Sequence, residues 1–115
     1  MAVITIWHNP RCSKSRATLA LLQDQGHAPT VRNYLEDTPS AEDLRAVLAA
    51  LGVAPIQMMR TGEAAFKDMG LSRDSDDATL IQAMVTAPIL IERPIVLHNG
   101  KARIGRPPES VLGIL

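Results

Sequence analysis

Residues 2–35 read AVITIWHNPRCSKSRATLALLQDQGHAPTVRNYL, and this stretch decides the fold. Its first six residues are β-branched and almost continuously apolar, the pattern of a short strand buried on both faces. From about Ser13 to Gln25 the chain takes a helical pattern, and Gly26 stands where a left-handed stop is wanted. TVRNYL then alternates enough to form a second strand near a sheet edge. Strand, helix and strand within so short a span form a βαβ unit, which makes the two strands parallel with a right-handed crossover.

The rest of the chain extends this start. SAEDLRAVLAALG offers Ser40 as N-cap with Asp43 three residues on, apolar Leu44, Val47, Leu48 and Leu51 on one face, and Gly52 as a stop. PIQMMR and EAAFKDMG read as shorter helical pieces, with Met58 and Met59 as core packing. DDATLIQAMVTA presents Leu80, Ile81, Met84 and Val85 on one face until Pro88 bars continuation. RPIVLHNGKARIG is a hairpin turning at Asn99-Gly100, and RPPESVLGIL suits a final helix opened by Pro108 with Val111, Leu112 and Leu115 inward. The expectation is one α/β domain over residues 1–115, a sandwich with a mixed four-stranded sheet and a helical insertion at about 40–87.

Composition excludes several classes. Twelve basic and twelve acidic residues cancel, and aromatics make up 3% of the chain. Neither a net field for nucleic acid nor a platform for stacking bases is present, so no nucleic-acid partner is expected. The apolar start is too short for a signal peptide or a membrane span, and a solitary cysteine forms no internal disulfide; the expected location is the reducing cytoplasm, away from membranes.

That cysteine, Cys12, falls in the loop between the first strand and the first helix, at a helix mouth where unpaired N–H groups and the helix dipole favour an anion. An unperturbed thiol, with a pKa near 8.5, is only about 3% ionised at neutral pH; such sites lower the pKa to roughly 3.5–7.5. Arg11, Lys14 and Arg16 add positive charge nearby, and His8 is placed to donate a hydrogen bond to the sulfur. A structural cysteine prefers apolar neighbours, so a reactive thiol is the better reading. In CSKS, Ser15 occupies the fourth position of a C-x-x-C motif, which leaves no internal resolving thiol. Thr18 stands where the loop of a cysteine phosphatase would need its arginine, and no second cysteine or close histidine pair exists for a metal site. What remains is a lone thiol nucleophile beside an anion-binding surface.

ITIWHNPRCSKSRATL, the later MMR, and PILIERPIVLHNGKARIGRP closely resemble the glutaredoxin-coupled arsenate reductases, a family with a thioredoxin-like fold and a helical insertion. The resemblance runs from Ile4 to about Leu115. It implies Cys12 as nucleophile, His8 as a residue that helps to hold the thiolate, and Arg60, Arg93 and Arg106 as ligands of the oxyanion. It also implies a cis peptide at Pro94 beside the cysteine, with Ser15 and Arg16 in support. Guanidinium forks suit a tetrahedral dianion because they bind its oxygens in pairs without losing charge. No metal and no tightly bound cofactor is implied; glutathione is the thiol co-substrate and glutaredoxin the protein partner. Arg32, Arg45, Arg73 and Arg103, and His27 and His98, are expected at the surface, and Arg11 and Arg16 as charges surrounding the site. Two alternatives stay open: a thiol-stress regulator that binds RNA polymerase, although CSKS lacks the usual cysteine switch, and a glutathione-linked reductase of another substrate.

Overall fold

The computed structural model describes residues 3–115. Four strands form one sheet in the order β2-β1-β3-β4, where β1 is Thr5–Trp7, β2 Thr30–Arg32, β3 Ile95–His98 and β4 Lys101–Ile104. β1 pairs parallel with β2 and antiparallel with β3, and β3 pairs antiparallel with β4, so the sheet is mixed as expected. The helices are α1 (Ser13–Asp24), α2 (Ala41–Leu51), α3 (Ala64–Asp68) and α4 (Asp77–Thr86), joined by 3₁₀ segments at Pro55–Met58, Pro88–Leu90 and Pro108–Ile114.

The chain divides into two compact units: one comprises the chain up to Asp37 together with Arg93–Leu115, the other Thr38–Glu92. The first holds the sheet and α1. Its core gathers Ile4, Ile6, Leu22, Val96, Val111 and Ile114. β1 lies between β2 and β3, which explains why Ile6 and Trp7 are both buried although they point to opposite sheet faces. The strand is shorter than the apolar run: Val3 lies before it and is exposed, and Ala2 lies outside the described residues. β2 is an edge strand as expected, but it stops at Arg32. The amides of Glu36 and Asp37 donate to the Asn33 carbonyl at 3.0 and 2.8 Å, and this turn takes Tyr34 out of the strand and into the interior.

The β3–β4 hairpin turns at Asn99 (φ 54°) and Gly100 (φ 74°), a pair of left-handed residues that matches the twist of the flanking strands. The last helical segment differs from its expected face. It is a 3₁₀ helix, whose three residues per turn align Val111 with Ile114; these two are buried and Leu112 is exposed. Leu115 is partly buried against the same core. His98 is half-buried rather than a free surface residue, since its Nδ1 meets the Ile114 carbonyl at 2.6 Å.

The regular elements of the second unit are helical. α2 begins with the expected reciprocal cap: Ser40 Oγ accepts from the Asp43 amide and Asp43 Oδ2 from the Ser40 amide, each at 3.1 Å. Leu44, Val47 and Leu48 of α2, Met58 and Met59, Phe66 of α3, and Leu80, Ile81 and Met84 of α4 are buried. An isolated bridge joins Met59 to Ile91 and sets Arg60 beside Glu92. Among the described residues, no helix is long and apolar enough to cross a membrane.

Candidate active site

Cys12 is the N-cap of α1: its backbone is extended (φ −93°, ψ 122°), and its carbonyl accepts the first helical bond from the Arg16 amide at 3.0 Å. A side chain at this position faces the free amides of the next residues, which usually meet the oxygen of a serine or aspartate. Here that side chain is a thiol. Burial pushes the thiol pKa up, but the amides of Ser15 and Lys14 and the guanidinium of Arg93 together outweigh it, and the net result lies below the usual 9.0. The sulfur is only half-buried, so it is both activated and reachable.

Two of the three expected arginines converge on this sulfur. Arg93 donates to it and supplies its charge. Arg106 Nη1 stands 3.9 Å from Sγ and also donates to the Arg93 carbonyl at 3.0 Å, which fixes the second guanidinium against the backbone that carries the first. Arg106 is exposed. Arg11 and Arg16 lie in the loop and first turn that present the thiol. The Arg11 amide donates to Asn9 Oδ1, and Arg16 Nη1 donates to the Pro10 carbonyl at 3.0 Å, bracing the loop that presents the thiol.

His8 does not bond the sulfur. Its Nδ1 lies 2.6 Å from Ser15 Oγ, which also accepts from the Asn9 amide at 3.0 Å. His8 and Ser15 are both buried. Burial, and then the nearby Arg16 charge, lower the histidine's pKa and favour the neutral ring. Ser15 therefore serves twice: its amide faces the thiol, and its hydroxyl ties α1 to the loop through His8.

The Arg93–Pro94 peptide is cis, as is Arg106–Pro107. Pro94 accepts from the Gly105 amide at 2.9 Å. Gly105 in turn lies against Thr18 of α1: a Cβ there would stand 2.6 Å from Thr18 Oγ1 and 2.8 Å from Pro94 Cγ. This contact joins the turn carrying Arg93 and Arg106 to the helix whose mouth holds Cys12.

Arg60 lies in the Thr38–Glu92 unit and is held there by two carboxylates. Its Nε donates to Glu63 Oε1 at 3.1 Å and its Nη1 to Glu92 Oε1 at 3.0 Å. Burial opposes its charge, and the two glutamates more than restore it, so its pKa is raised. These carboxylates share a cleft of about 410 Å³ with Met59, Thr61 and Gly62. Nothing local to Arg60 signals its pairing with Glu92, which is 32 residues away along the chain.

Three further participants escaped the sequence reading. Gly105 has no side chain to betray its role, and Asn9 acts through its loop. Tyr34 is wholly buried, and its hydroxyl is approached by Arg93 and Asn9. Its one signal was being the chain's single tyrosine, placed at the end of a segment that read as strand. Arg32, expected at the surface, is half-buried: it lies over the Trp7 ring at 5.4 Å and pairs with Asp37 at 3.3 Å.

Known proteins share this architecture. The ArsC family model matches residues 7–114. The chain is 52% identical to the uncharacterized protein YfgD of Escherichia coli (strain K12), over 97% of this chain and 96% of that one. It is 47% identical to an arsenate reductase of Haemophilus influenzae, with both chains covered in full. A solved structure titled as the arsenate reductase of Vibrio cholerae superposes with a TM-score of 0.94 at 51% identity, covering 98% of each chain.

Proposed function

The chain belongs to the ArsC family, and from that premise we propose that it is an arsenate reductase with Cys12 as its nucleophile. The names of relatives aligned over their whole length support the substrate. The observation that carries the chemistry is the Cys12 sulfur at the mouth of α1, with Arg106 Nη1 at 3.9 Å and Arg93 lowering the thiol's pKa.

The reaction follows from that geometry. Arsenate enters as an oxyanion, its oxygens taken by the guanidiniums of Arg93 and Arg106. The thiolate attacks arsenic, an As–S bond forms, and one As–O bond breaks with the oxygen leaving as water after protonation. The helix amides and arginines hold negative charge throughout, so little reorganisation accompanies the step. Arsenic(V) then gains two electrons from two thiols. One is Cys12; since Ser15 replaces a resolving cysteine, the other must come from outside. Glutathione attacks the Cys12 sulfur of the adduct; the As–S bond breaks with its electron pair on arsenic, arsenite leaves, and a Cys12–glutathione mixed disulfide forms, whose glutathione sulfur a glutaredoxin thiolate then attacks to release the Cys12 thiolate. No tightly bound cofactor takes part, and the reducing cytoplasm supplies both thiols. Neutral His8 holds Ser15 in place, and family resemblance alone makes Arg60 the third guanidinium.

The test is turnover of arsenate by the purified protein with glutathione, glutaredoxin and its reducing system. Activity that disappears in Cys12→Ser and falls steeply in Arg93→Ala supports the proposal. Absence of arsenate turnover together with brisk deglutathionylation of a protein mixed disulfide would replace it with a reductase of another substrate.

A further inference from the structure

The chain is neutral, but its charges are sorted. The unit that carries Cys12 holds eight basic and four acidic residues, and the unit Thr38–Glu92 holds four and eight. Within the first unit a cluster of cations surrounds the thiol. Residues 1–23 contain no carboxylate, while Arg11, Lys14 and Arg16 fall within four positions of Cys12. All three are exposed, and among the described residues none of them forms an ion pair. Arg16 Nη1 is held at the Pro10 carbonyl, 3.0 Å away, so its charge stays beside the loop that presents the thiol. Helix stability does not explain this choice of residues, because a cation near a helix N-terminus opposes the dipole. The helices α2 and α4 follow the rule, with Glu42, Asp43 and Asp77 in their first turns. The first turn of α1 has no acid and contains Lys14 instead.

We infer that Arg11, Lys14 and Arg16 set the specificity of the resolving step, favouring a small thiol that carries a carboxylate over a neutral one. With Ser15 in place of a resolving cysteine, the second thiol reaches the Cys12 sulfur from solvent and passes these exposed cations on the way. In the bond exchange the incoming thiolate attacks the Cys12 sulfur and a new S–S bond forms. The bond from that sulfur to its adduct breaks with the electron pair on the departing group, so the thiol is oxidised and the departing group reduced. The three cations take no part in this exchange. They act on a carboxylate elsewhere in the thiol molecule, and so set which thiol arrives. Three unit charges at about 8–10 Å, acting through water, raise encounter with a singly negative reactant by about threefold to tenfold at low ionic strength. The advantage shrinks with salt, since the Debye length is about 10 Å at 0.1 M and about 3 Å at 1 M.

The inference rests on the reading of Cys12 as a nucleophile that an outside thiol clears, and the experiment separates the two. Cys12 is converted to its thiopyridine mixed disulfide with 2,2′-dithiodipyridine, and its resolution is followed by the absorbance of the released thiopyridone. The thiols are 3-mercaptopropionate, 2-mercaptoethanol and cysteamine, which carry a negative, no and a positive charge besides the sulfur. Each rate is divided by that of the same thiol with free 2,2′-dithiodipyridine, which removes differences in intrinsic nucleophilicity. The normalised rate for mercaptopropionate should exceed that for mercaptoethanol by about threefold to tenfold at low salt, with cysteamine slowest, and the spread should collapse at about 1 M salt. In Arg11→Gln/Lys14→Gln the preference should fall by about half or more. Because the readout is a ratio, a loosened loop that changes the rate of every thiol alike does not imitate the effect. Equal normalised rates for the three thiols in the wild type overturn the inference alone. A preference that survives undiminished in the double variant belongs to other charges and overturns it as well. A Cys12 that forms no mixed disulfide in the folded protein overturns the nucleophile reading, and the inference with it.

Discussion

Arg106 Nη1 makes two contacts at once, to the Cys12 sulfur at 3.9 Å and to the Arg93 carbonyl at 3.0 Å. A single nitrogen therefore ties the nucleophile to the backbone of the other guanidinium. Arg106→Ala removes a charge-assisted donor, a change worth about 1.5–3 kcal/mol, or roughly tenfold to a hundredfold in arsenate kcat/KM. Arg106→Lys should recover little of this, because an ammonium lacks the planar fork that reaches backbone and ligand together. Steady-state kinetics of both variants check the prediction, and full activity in the lysine variant would refute it.

The close approach of Gly105 to Thr18 and Pro94 makes a steric prediction. The Cβ of Gly105→Ala would lie 2.6 Å from Thr18 Oγ1 and 2.8 Å from Pro94 Cγ, so backbone or helix must shift. Overpacking of this kind costs about 1–3 kcal/mol in stability. Because the displaced turn carries Arg106, activity should fall further than stability does. The double variant Gly105→Ala/Thr18→Ala relieves one of the two clashes and should recover part of both losses in denaturant melts and kinetics.

Arg60 gives the sign of a charge effect. If anion binding draws Arg60 away from Glu63 and Glu92, the carboxylates compete with substrate. Glu92→Gln removes one competitor at 3.0 Å and should lower the KM for arsenate; Arg60→Ala should raise it. A higher KM in Glu92→Gln would mean instead that Glu92 orients Arg60 for its task.

His8 predicts how stability varies with pH. Its folded pKa lies below the usual 6.5, so the unfolded chain binds the proton more readily. The neutral ring's contribution is complete above pH 6.5 and is lost as pH falls through that value towards the depressed folded pKa. The denaturation midpoint should decline over this window, and His8→Gln should flatten the decline. Equal slopes in the two proteins would contradict the assignment.

Much of this architecture was legible because local chemistry and tertiary position agree. The Ser40–Asp43 cap, the Asn99-Gly100 turn and the βαβ start of the chain each follow from residues close in sequence. The thiol's placement was legible for the same reason, since an N-cap is a local property. The source of its charge was not. The Arg16 guanidinium, near in sequence, bonds the Pro10 carbonyl, whereas Arg93 and Arg106 arrive from beyond the insertion. Family resemblance could nominate those arginines, but it said nothing of the carboxylates on Arg60. Val111 and Ile114 show a smaller failure of the same kind: the apolar pattern was right, but the helix period was three rather than 3.6.

The most direct test is the pH dependence of Cys12 alkylation, measured with and without arsenate. The account predicts a midpoint clearly below 9.0 and protection of the thiol by arsenate, weakened when Arg93 or Arg106 is replaced. A midpoint at the value of an ordinary thiol, with alkylation indifferent to the oxyanion, would contradict it.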